Sequence, residues 1–325
     1  MNVLGIGNAL VDIMVQLPDD TFLTKHNLPK GSMQLVDKAV SDSIMKAAMQ
    51  YPTRITSGGS AANTINGLAR LGVQTGFLGS LGKDTWGEHF ISDFEKNEVI
   101  PHINYSSTDS GRAIALVTPD GERTFATYLG AAVELSASHI HEYTFTNYKV
   151  VHIEGYLLQN YELIEQSVQQ AIANSVHVSL DLASYNVVEQ HLDFLKHLIP
   201  KKVDILFANE EEAMALTGEN PEQAVIAMGE MVPLSIVKTG ANGSLVFDRK
   251  TVTKIEALPS ACLDTTGAGD LYAAGFLYGL IQGEEMKECG RYGSILAGHV
   301  IREIGAKINE DSWKNIFTML YPEMS

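Results

Sequence analysis

Cysteine is scarce: Cys262 and Cys289 are the two in 325 residues. Neither belongs to a CxxC pair, which argues against a disulfide framework and a cysteine-built metal cluster. Such usage fits a reducing cytoplasm, the expected compartment. Long apolar runs are missing as well, so no membrane-spanning helix is expected. The start, Met1-Asn2-Val3-Leu4-Gly5, lacks a basic region and a cleavage site, and predicts no signal peptide. Positive charge is the third shortage. Lys and Arg total 23 against 39 Asp and Glu, for a formal net charge of −16. That balance leaves no broad basic surface for nucleic acid. It also repels anionic ligands at long range, so a bound phosphate needs local N–H donors or a metal. The histidines show no zinc-ligand spacing. No internal repeat or low-complexity segment interrupts the chain.

What is present is a globular chain, 45% hydrophobic, with enough length for a large core in one domain or two. Residues 3–13 read as a buried strand running into a second one, with polar Asn8 and Asp12 among apolar neighbours. Those two suit hydrogen bonding to hydroxyl groups at a strand end. Gly5 and Gly7 begin a GxGxxG pattern, but its third glycine is missing and no clear helix follows. This disfavours a dinucleotide-binding dehydrogenase. Residues 15–57 are mixed, with a helix from Asp42 to Gln50. Strands follow at Gln74–Leu81, near Ile103–Tyr105, at Ala113–Thr118 and at Arg123–Tyr128, with a helix over His89–Glu98. The Pro119-Asp120-Gly121 turn makes the last two strands a hairpin. Arg123 alternates with apolar residues there and faces either a ligand or solvent.

From about 148, strands and helices alternate, which implies βαβ units and a parallel sheet. The strands end on polar residues: Glu154, Asp181, Asn209 and Lys238. Ligands bind beyond the carboxyl ends of such strands, so these four point towards one crevice. The helices expected between them cover Tyr161–Ala173, Val188–Ile199, Glu210–Leu216 and Pro221–Met228.

Two glycine-rich helix starts carry the chemistry. Asp264-Thr265-Thr266-Gly267-Ala268-Gly269-Asp270 opens a small-residue helix. Glycines let its backbone N–H groups converge, and the helix N-terminus adds positive partial charge. The result is an anion hole with a carboxylate, Asp270, at its edge. That is the minimal equipment for phosphoryl transfer to an alcohol. A lone Asp beside a helix N-terminus is expected to have a low pKa. Upstream, Gly58-Gly59-Ser60-Ala61-Ala62-Asn63-Thr64 opens a helix that Gly72 stops. Ser60 is the expected N-cap, Gly58 and Gly59 permit close ligand approach, and Asn63 lies one turn in.

With these two motifs in this order, the chain resembles the PfkB/ribokinase family of sugar and nucleoside kinases over nearly its whole length. Asn8 and Asp12, Gly31-Ser32-Met33, and Arg123 preceding Ala131-Ala132 look most like the adenosine kinase branch. The resemblance implies a single ribokinase-like domain over 1–325: a three-layer α/β/α sandwich on a central, mainly parallel sheet. A small β-sheet lid is inserted at about 12–36 and 100–128. It implies an ATP-dependent phosphotransferase acting on the primary hydroxymethyl group of a furanose sugar or nucleoside.

By that resemblance Asp270 is the base and Gly267, Ala268 and Gly269 form the anion hole. Asn8, Asp12, Gly58, Gly59, Asn63 and Arg123 line the substrate side, and Glu154 matches a substrate-side Glu of ribokinases. Lys238, Gly240 and Gly243 meet the nucleotide phosphates. Asn209 and Glu212 match an Asn-x-x-Glu motif that governs Mg2+, through water or phosphate. Asp264 and Thr266 fall where some members bind a monovalent cation such as K+. Two departures stand out: Asp181-Leu182-Ala183 replaces Asp-x-Asn, and Ser294 stands where several members place an adenine-contacting Asn. The implied partners are Mg2+ with ATP and a small sugar or nucleoside, without nucleic acid or membrane. The chain is expected as a monomer or a homodimer through the lid. A ligand-binding regulator on the same fold is the alternative from another class, and the intact Asp270, Asn209, Glu212 and Gly-Ala-Gly turn argue against it.

Overall fold

The computed structural model describes residues 2–321. Among them, strands form two sheets. The strands are β1 Val3–Ile6, β2 Leu10–Gln16, β3 Met33–Leu35, β4 Thr53–Gly58, β5 Thr75–Gly82, β6 Ile100–Ser106 and β7 Gly111–Val117. They continue as β8 Arg123–Tyr128, β9 Val150–Glu154, β10 His177–Asp181, β11 Ile205–Asn209, β12 Leu234–Lys238, β13 Ser244–Phe247 and β14 Val252–Ile255. The large sheet runs β14-β13-β12-β11-β10-β9-β1-β5-β6, and the small one β3-β8-β7-β2-β4. The large sheet is parallel from β6 to β12, and β13 and β14 turn back antiparallel.

The central strands are apolar on both faces because helices cover both. Val3, Phe77, Ile205, Phe207 and Ile236 pack under the helices Ser60–Arg70, Thr85–Lys96, Ala268–Gln282 and Met286–Val300. Leu4, Ile6, Val151, Leu180, Leu206 and Val237 face the opposite core with Tyr161–Ala173, Leu192–Lys202, Glu210–Thr217 and Pro221–Met231. Neighbours in a strand thus serve different layers, as period-two alternation requires. The outcome is the expected three-layer α/β/α sandwich.

The strand–strand continuation at residues 3–16 crosses between sheets: β1 is central in the large sheet, while β2 pairs with β4 and β7 in the small one. Two expectations for the lid differ from what is found. β6 pairs in parallel with β5 and belongs to the large sheet. β4, outside the expected lid segments, forms a lid edge against β2. The helix expected over Val188–Ile199 is two, Tyr185–Gln190 capped by Ser184 and Leu192–Lys202, meeting at His191. The Glu310–Leu320 helix closes the described chain.

Candidate active site

Both glycine-rich helix starts lie against each other. Gly59, with φ +101°, is the N-cap of the Ser60–Arg70 helix. A Cβ there would lie 2.1 Å from the Asn8 carbonyl oxygen. Ser60 is therefore not the expected cap, and its hydroxyl is free for another partner. It donates to Asp270 Oδ1 at 2.7 Å, while Asn63 Nδ2 donates to Asp270 Oδ2 at 3.0 Å. Thr64 Oγ1 adds a bond to the Asp270 carbonyl at 3.1 Å. On the other side, Gly267 takes φ +74° and precedes the Ala268–Gln282 helix. A Cβ at Gly267 would lie 2.4 Å from Ala306 Cβ, so the turn is built for glycine.

Asp270 does not have the low pKa expected of it. Withdrawal from water raises it to about 6, more than the Asn63 and Ser60 donors lower it. The two hydrogen bonds and the Lys238 ammonium are outweighed by desolvation, to which the Asp181 carboxylate nearby adds. The group is a stronger base than an ordinary aspartate.

On the lid side, Asp12 lies over Gly58, where a Cβ would approach its carboxyl carbon to 2.2 Å. No hydrogen bond reaches the Asp12 carboxyl among the described residues, which leaves both oxygens open. Burial pushes it to about 7, against the pull of Lys307. Glu154 is different. Its Oε1 accepts from the Asn8 backbone N–H at 2.9 Å and from Asn8 Nδ2 at 2.8 Å, and its Oε2 from the Ala61 N–H at 2.9 Å. It is 1% exposed. Burial pushes it to about 7. Glu154 ties the β1–β2 corner to the start of the Ser60–Arg70 helix, and Asn8 spends its amide on that tie. The structure does not bring Glu154 into the open cleft.

Sequence reasoning missed the group beneath this corner. Lys307 donates to Ser57 Oγ at 2.9 Å, and its ammonium lies 3.6 Å from Asp93 Oδ2. Ser57 in turn donates to Asp93 through both its hydroxyl and its N–H. Burial pulls the Lys307 pKa down against the opposing pull of Asp93 and Asp12. No motif signals these residues, because they meet only after folding.

At the phosphate end, three adjacent strand ends converge. Lys238 Nζ donates to Asp181 Oδ2 at 2.8 Å, and the two side chains are 14% and 7% exposed. Asp181 Oδ1 also accepts from the Ala183 N–H at 3.0 Å. Burial would raise Asp181, but the Lys238 ammonium holds it below its ordinary value. Asn209 and Glu212 engage each other: Glu212 accepts from the Asn209 N–H at 2.8 Å and from Nδ2 at 2.7 Å, and the Glu212 N–H donates back to Asn209 Oδ1 at 2.8 Å. Burial raises Glu212 to about 7, with Lys238 opposing. The Gly240–Asn242 turn and Gly243, at φ +92°, follow Lys238. Ser294 is 6% exposed inside the Met286–Val300 helix.

A metal arriving with ATP would find the Glu212 and Asp181 carboxylates at this end. Both Glu212 oxygens already accept from Asn209, and among the described residues no three potential ligands form a cluster. This donor set fits Mg2+ held chiefly by phosphate and water, as that ion commonly is. The K+ expectation fares differently. Arg123 reaches from β8 to bond Asp264 Oδ1 and, at 2.7 Å, Thr266 Oγ1. Asp264 Oδ1 also accepts from the Thr266 N–H at 2.6 Å, and its Oδ2 from the Gly305 N–H at 2.7 Å. A guanidinium already supplies the positive charge there, so these residues do not fit a monovalent cation. Arg123 thus reaches the second motif, at the edge of a cavity of about 300 Å³ that Val117, Leu263 and Asp264 also line.

A family model described as pfkB family carbohydrate kinase matches residues 37–313. The chain belongs to the pfkB family of carbohydrate kinases. It is accordingly a phosphotransferase with an alcohol acceptor, a sugar or nucleoside kinase. A probable sugar kinase from Rhizobium etli superposes with a TM-score of 0.87 at 32% identity, covering 98% of both chains. Adenosine kinase from Sinorhizobium meliloti gives 0.86 at 33% identity, covering 98% of this chain and 99% of that one. An adenosine kinase from Saccharomyces cerevisiae is 29% identical, over 92% of this chain and 94% of its own. Kinases of this pfkB family generally use ATP with Mg2+. No helix among the described residues is long and apolar enough to cross a membrane.

Proposed function

We propose that this pfkB kinase transfers the γ-phosphoryl group of ATP to the primary hydroxymethyl group of a nucleoside of the adenosine type. The observation that carries this is the Asp270 carboxylate, held by Ser60 and Asn63 at the mouth of the Gly267–Gly269 turn. The acceptor oxygen attacks the γ-phosphorus, the bond to the leaving ADP oxygen breaks, and the acceptor's proton passes to Asp270. A pKa of about 6 suits a base that must be ionised near neutrality yet hold a proton. The transition state is loose, so positioning and charge stabilisation carry most of the rate. The N–H groups of Gly267, Ala268 and Gly269 receive the phosphoryl oxygens. Mg2+, near Glu212 and Asp181, neutralises charge on the phosphates when bound. The open carboxyl of Asp12 beside Gly58 accepts hydrogen bonds from the furanose hydroxyls, with Asn63 close by.

A free-sugar kinase is the second reading, favoured by the 32% identity to the probable sugar kinase. The sealed Glu154 weighs against it, since the ribokinase-like contact has no free oxygen to offer. The test is ATP turnover with Mg2+ against adenosine, ribose, fructose and other furanosides. Selective turnover of adenosine supports the nucleoside reading; turnover of a free sugar alone overturns it.

A further inference from the structure

Asparagine followed by glycine is the pair at which a peptide chain modifies itself most readily, because glycine has no Cβ to obstruct attack by its nitrogen on the asparagine amide. The chain holds two such pairs, Asn66-Gly67 and Asn242-Gly243. The first is shut in. Asn66 is 4% exposed within the Ser60–Arg70 helix, its Nδ2 donates to Ser57 Oγ at 3.1 Å, and its Oδ1 accepts from Asn97 Nδ2 at 3.2 Å. The second is open. Asn242 is exposed in the turn that joins β12 to β13, and among the described residues no partner holds its side-chain amide. One bond guards the attacking nitrogen, from the Gly243 N–H to the Gly240 carbonyl at 3.1 Å. Gly240 and Ala241 are exposed as well, so that bond opens to water rather than against packed side chains.

This turn belongs to the phosphate end. Its base is the pairing of Lys238 with Ser244, and Lys238 pairs on its other side with Asn209. The turn has no slack. Gly243 stands at φ +92°, a Cβ there would lie 1.9 Å from the Ile255 carbonyl oxygen, and the Gly243 carbonyl accepts from the Thr239 N–H at 2.8 Å.

We propose that Asn242-Gly243 is a self-modification site that ages the nucleotide end of the protein and that bound nucleotide protects. The Gly243 nitrogen gives its proton to solvent and attacks Asn242 Cγ. A new N–C bond forms, the bond from Cγ to the amide nitrogen breaks, and that nitrogen takes up a proton and leaves as ammonia. Water then opens the resulting succinimide at one carbonyl or the other, giving aspartate or isoaspartate. Either product adds a negative charge to a chain already at −16, where a polyphosphate must be received. Isoaspartate also lengthens the main chain by one methylene just before Gly243, which the tight turn does not accommodate. Nucleotide seated against the turn holds it closed, and by linkage slows the reaction. The effect on nucleotide rests on the kinase reading above; the modification itself does not.

The test incubates the full chain in mildly alkaline buffer, with and without Mg2+ and the non-hydrolysable analogue adenylyl imidodiphosphate. The tryptic peptide 239–249 is followed by mass and by isoaspartyl methyltransferase labelling. Expected are conversion at Asn242 over days with none at Asn66, slower conversion under the analogue, and several-fold weaker binding of the analogue by converted protein. Asn242→Asp should show that weakening from the start, and Asn242→Gln should keep its own starting affinity throughout. An unchanged peptide, equal conversion at Asn66 and Asn242, equal rates with and without the analogue, or unaltered affinity after conversion each overturns the proposal. Fresh protein that binds no analogue overturns the kinase reading and the ageing of the nucleotide end, while the peptide mass still decides the modification.

Discussion

Ser60 Oγ donates to Asp270 Oδ1 at 2.7 Å, across 210 positions of sequence. The first residue of one glycine-rich helix thereby holds the carboxylate that sits in the first turn of the other. That bond lowers the Asp270 pKa against the desolvation that raises it. Ser60→Ala removes the bond, so the rising limb of the kcat/KM–pH profile should move to higher pH. A hydrogen bond to a charged group contributes about 1.5–3 kcal/mol, and one pKa unit corresponds to about 1.4 kcal/mol. A shift of about one unit is expected, and an unmoved limb removes Ser60 from control of the base.

Asp270→Asn should cut kcat by about 10²–10⁴, the usual contribution of a positioned base, while nucleotide binding persists. In the wild type, Asp270 at about 6 and Asp12 at about 7 must both be ionised to accept protons or hydroxyl hydrogen bonds. Below those values they are protonated: Asp270 can no longer take a proton, and Asp12 keeps only the weaker acceptor capacity of a neutral carboxyl. Activity should therefore rise between about pH 6 and 7 and level above. A profile flat from pH 5 to 8 contradicts these roles.

Gly59→Ala tests the backbone of the upstream turn. Its φ of +101° and the Asn8 carbonyl 2.1 Å from a Cβ both oppose a side chain. Backbone strain of this kind costs about 1–3 kcal/mol. The melting temperature should fall, and kcat should fall further, because the Asn8 carbonyl and the Ser60 hydroxyl move together. Unchanged melting and turnover would mean the corner relaxes freely.

Arg123 occupies the charge position at Asp264 and Thr266. Replacing K+ by tetramethylammonium should therefore leave wild-type turnover unchanged. Arg123→Gln vacates the position and should create a K+ response, seen both in turnover and as K+-specific thermal stabilisation. Marked K+ stimulation of the wild type would show that the guanidinium does not substitute for the ion.

Much of this architecture is legible from local pattern. The alternation of β9–β12 with helices, and the glycines at 58–59 and 267–269, follow from rules that act over a few residues. What fails is non-local. Whether β6 joins the large sheet or the lid depends on its pairing with β5, and β4 becomes a lid strand through β2. Asp270 departs from the low pKa expected of it because enclosure by other elements outweighs the hydrogen bonds it receives from Asn63 and Ser60. Arg123, on an alternating strand, gives no hint that it meets residue 264.

Lys307 is the case where sequence is silent and the consequence is sharpest. It links Ser57 of β4, Asp93 of the Thr85–Lys96 helix and, electrostatically, Asp12 of β2. Its charge lowers the Asp12 pKa, which burial alone would set higher. Lys307→Met removes that charge and keeps the length of the stem. Two effects should separate. Asp93 loses its cation in a partly buried site, so stability should fall, by at most the roughly 3–5 kcal/mol of a fully buried broken pair, since both groups retain some solvent. Independently, Asp12 should ionise at higher pH, so KM for the furanose substrate should rise near pH 7 and recover as the pH is raised past the shifted value. A purely structural lysine would lower stability without that pH-dependent recovery of KM. Recovery at high pH with kcat unchanged would place Lys307 as the residue that keeps Asp12 charged for the substrate hydroxyls.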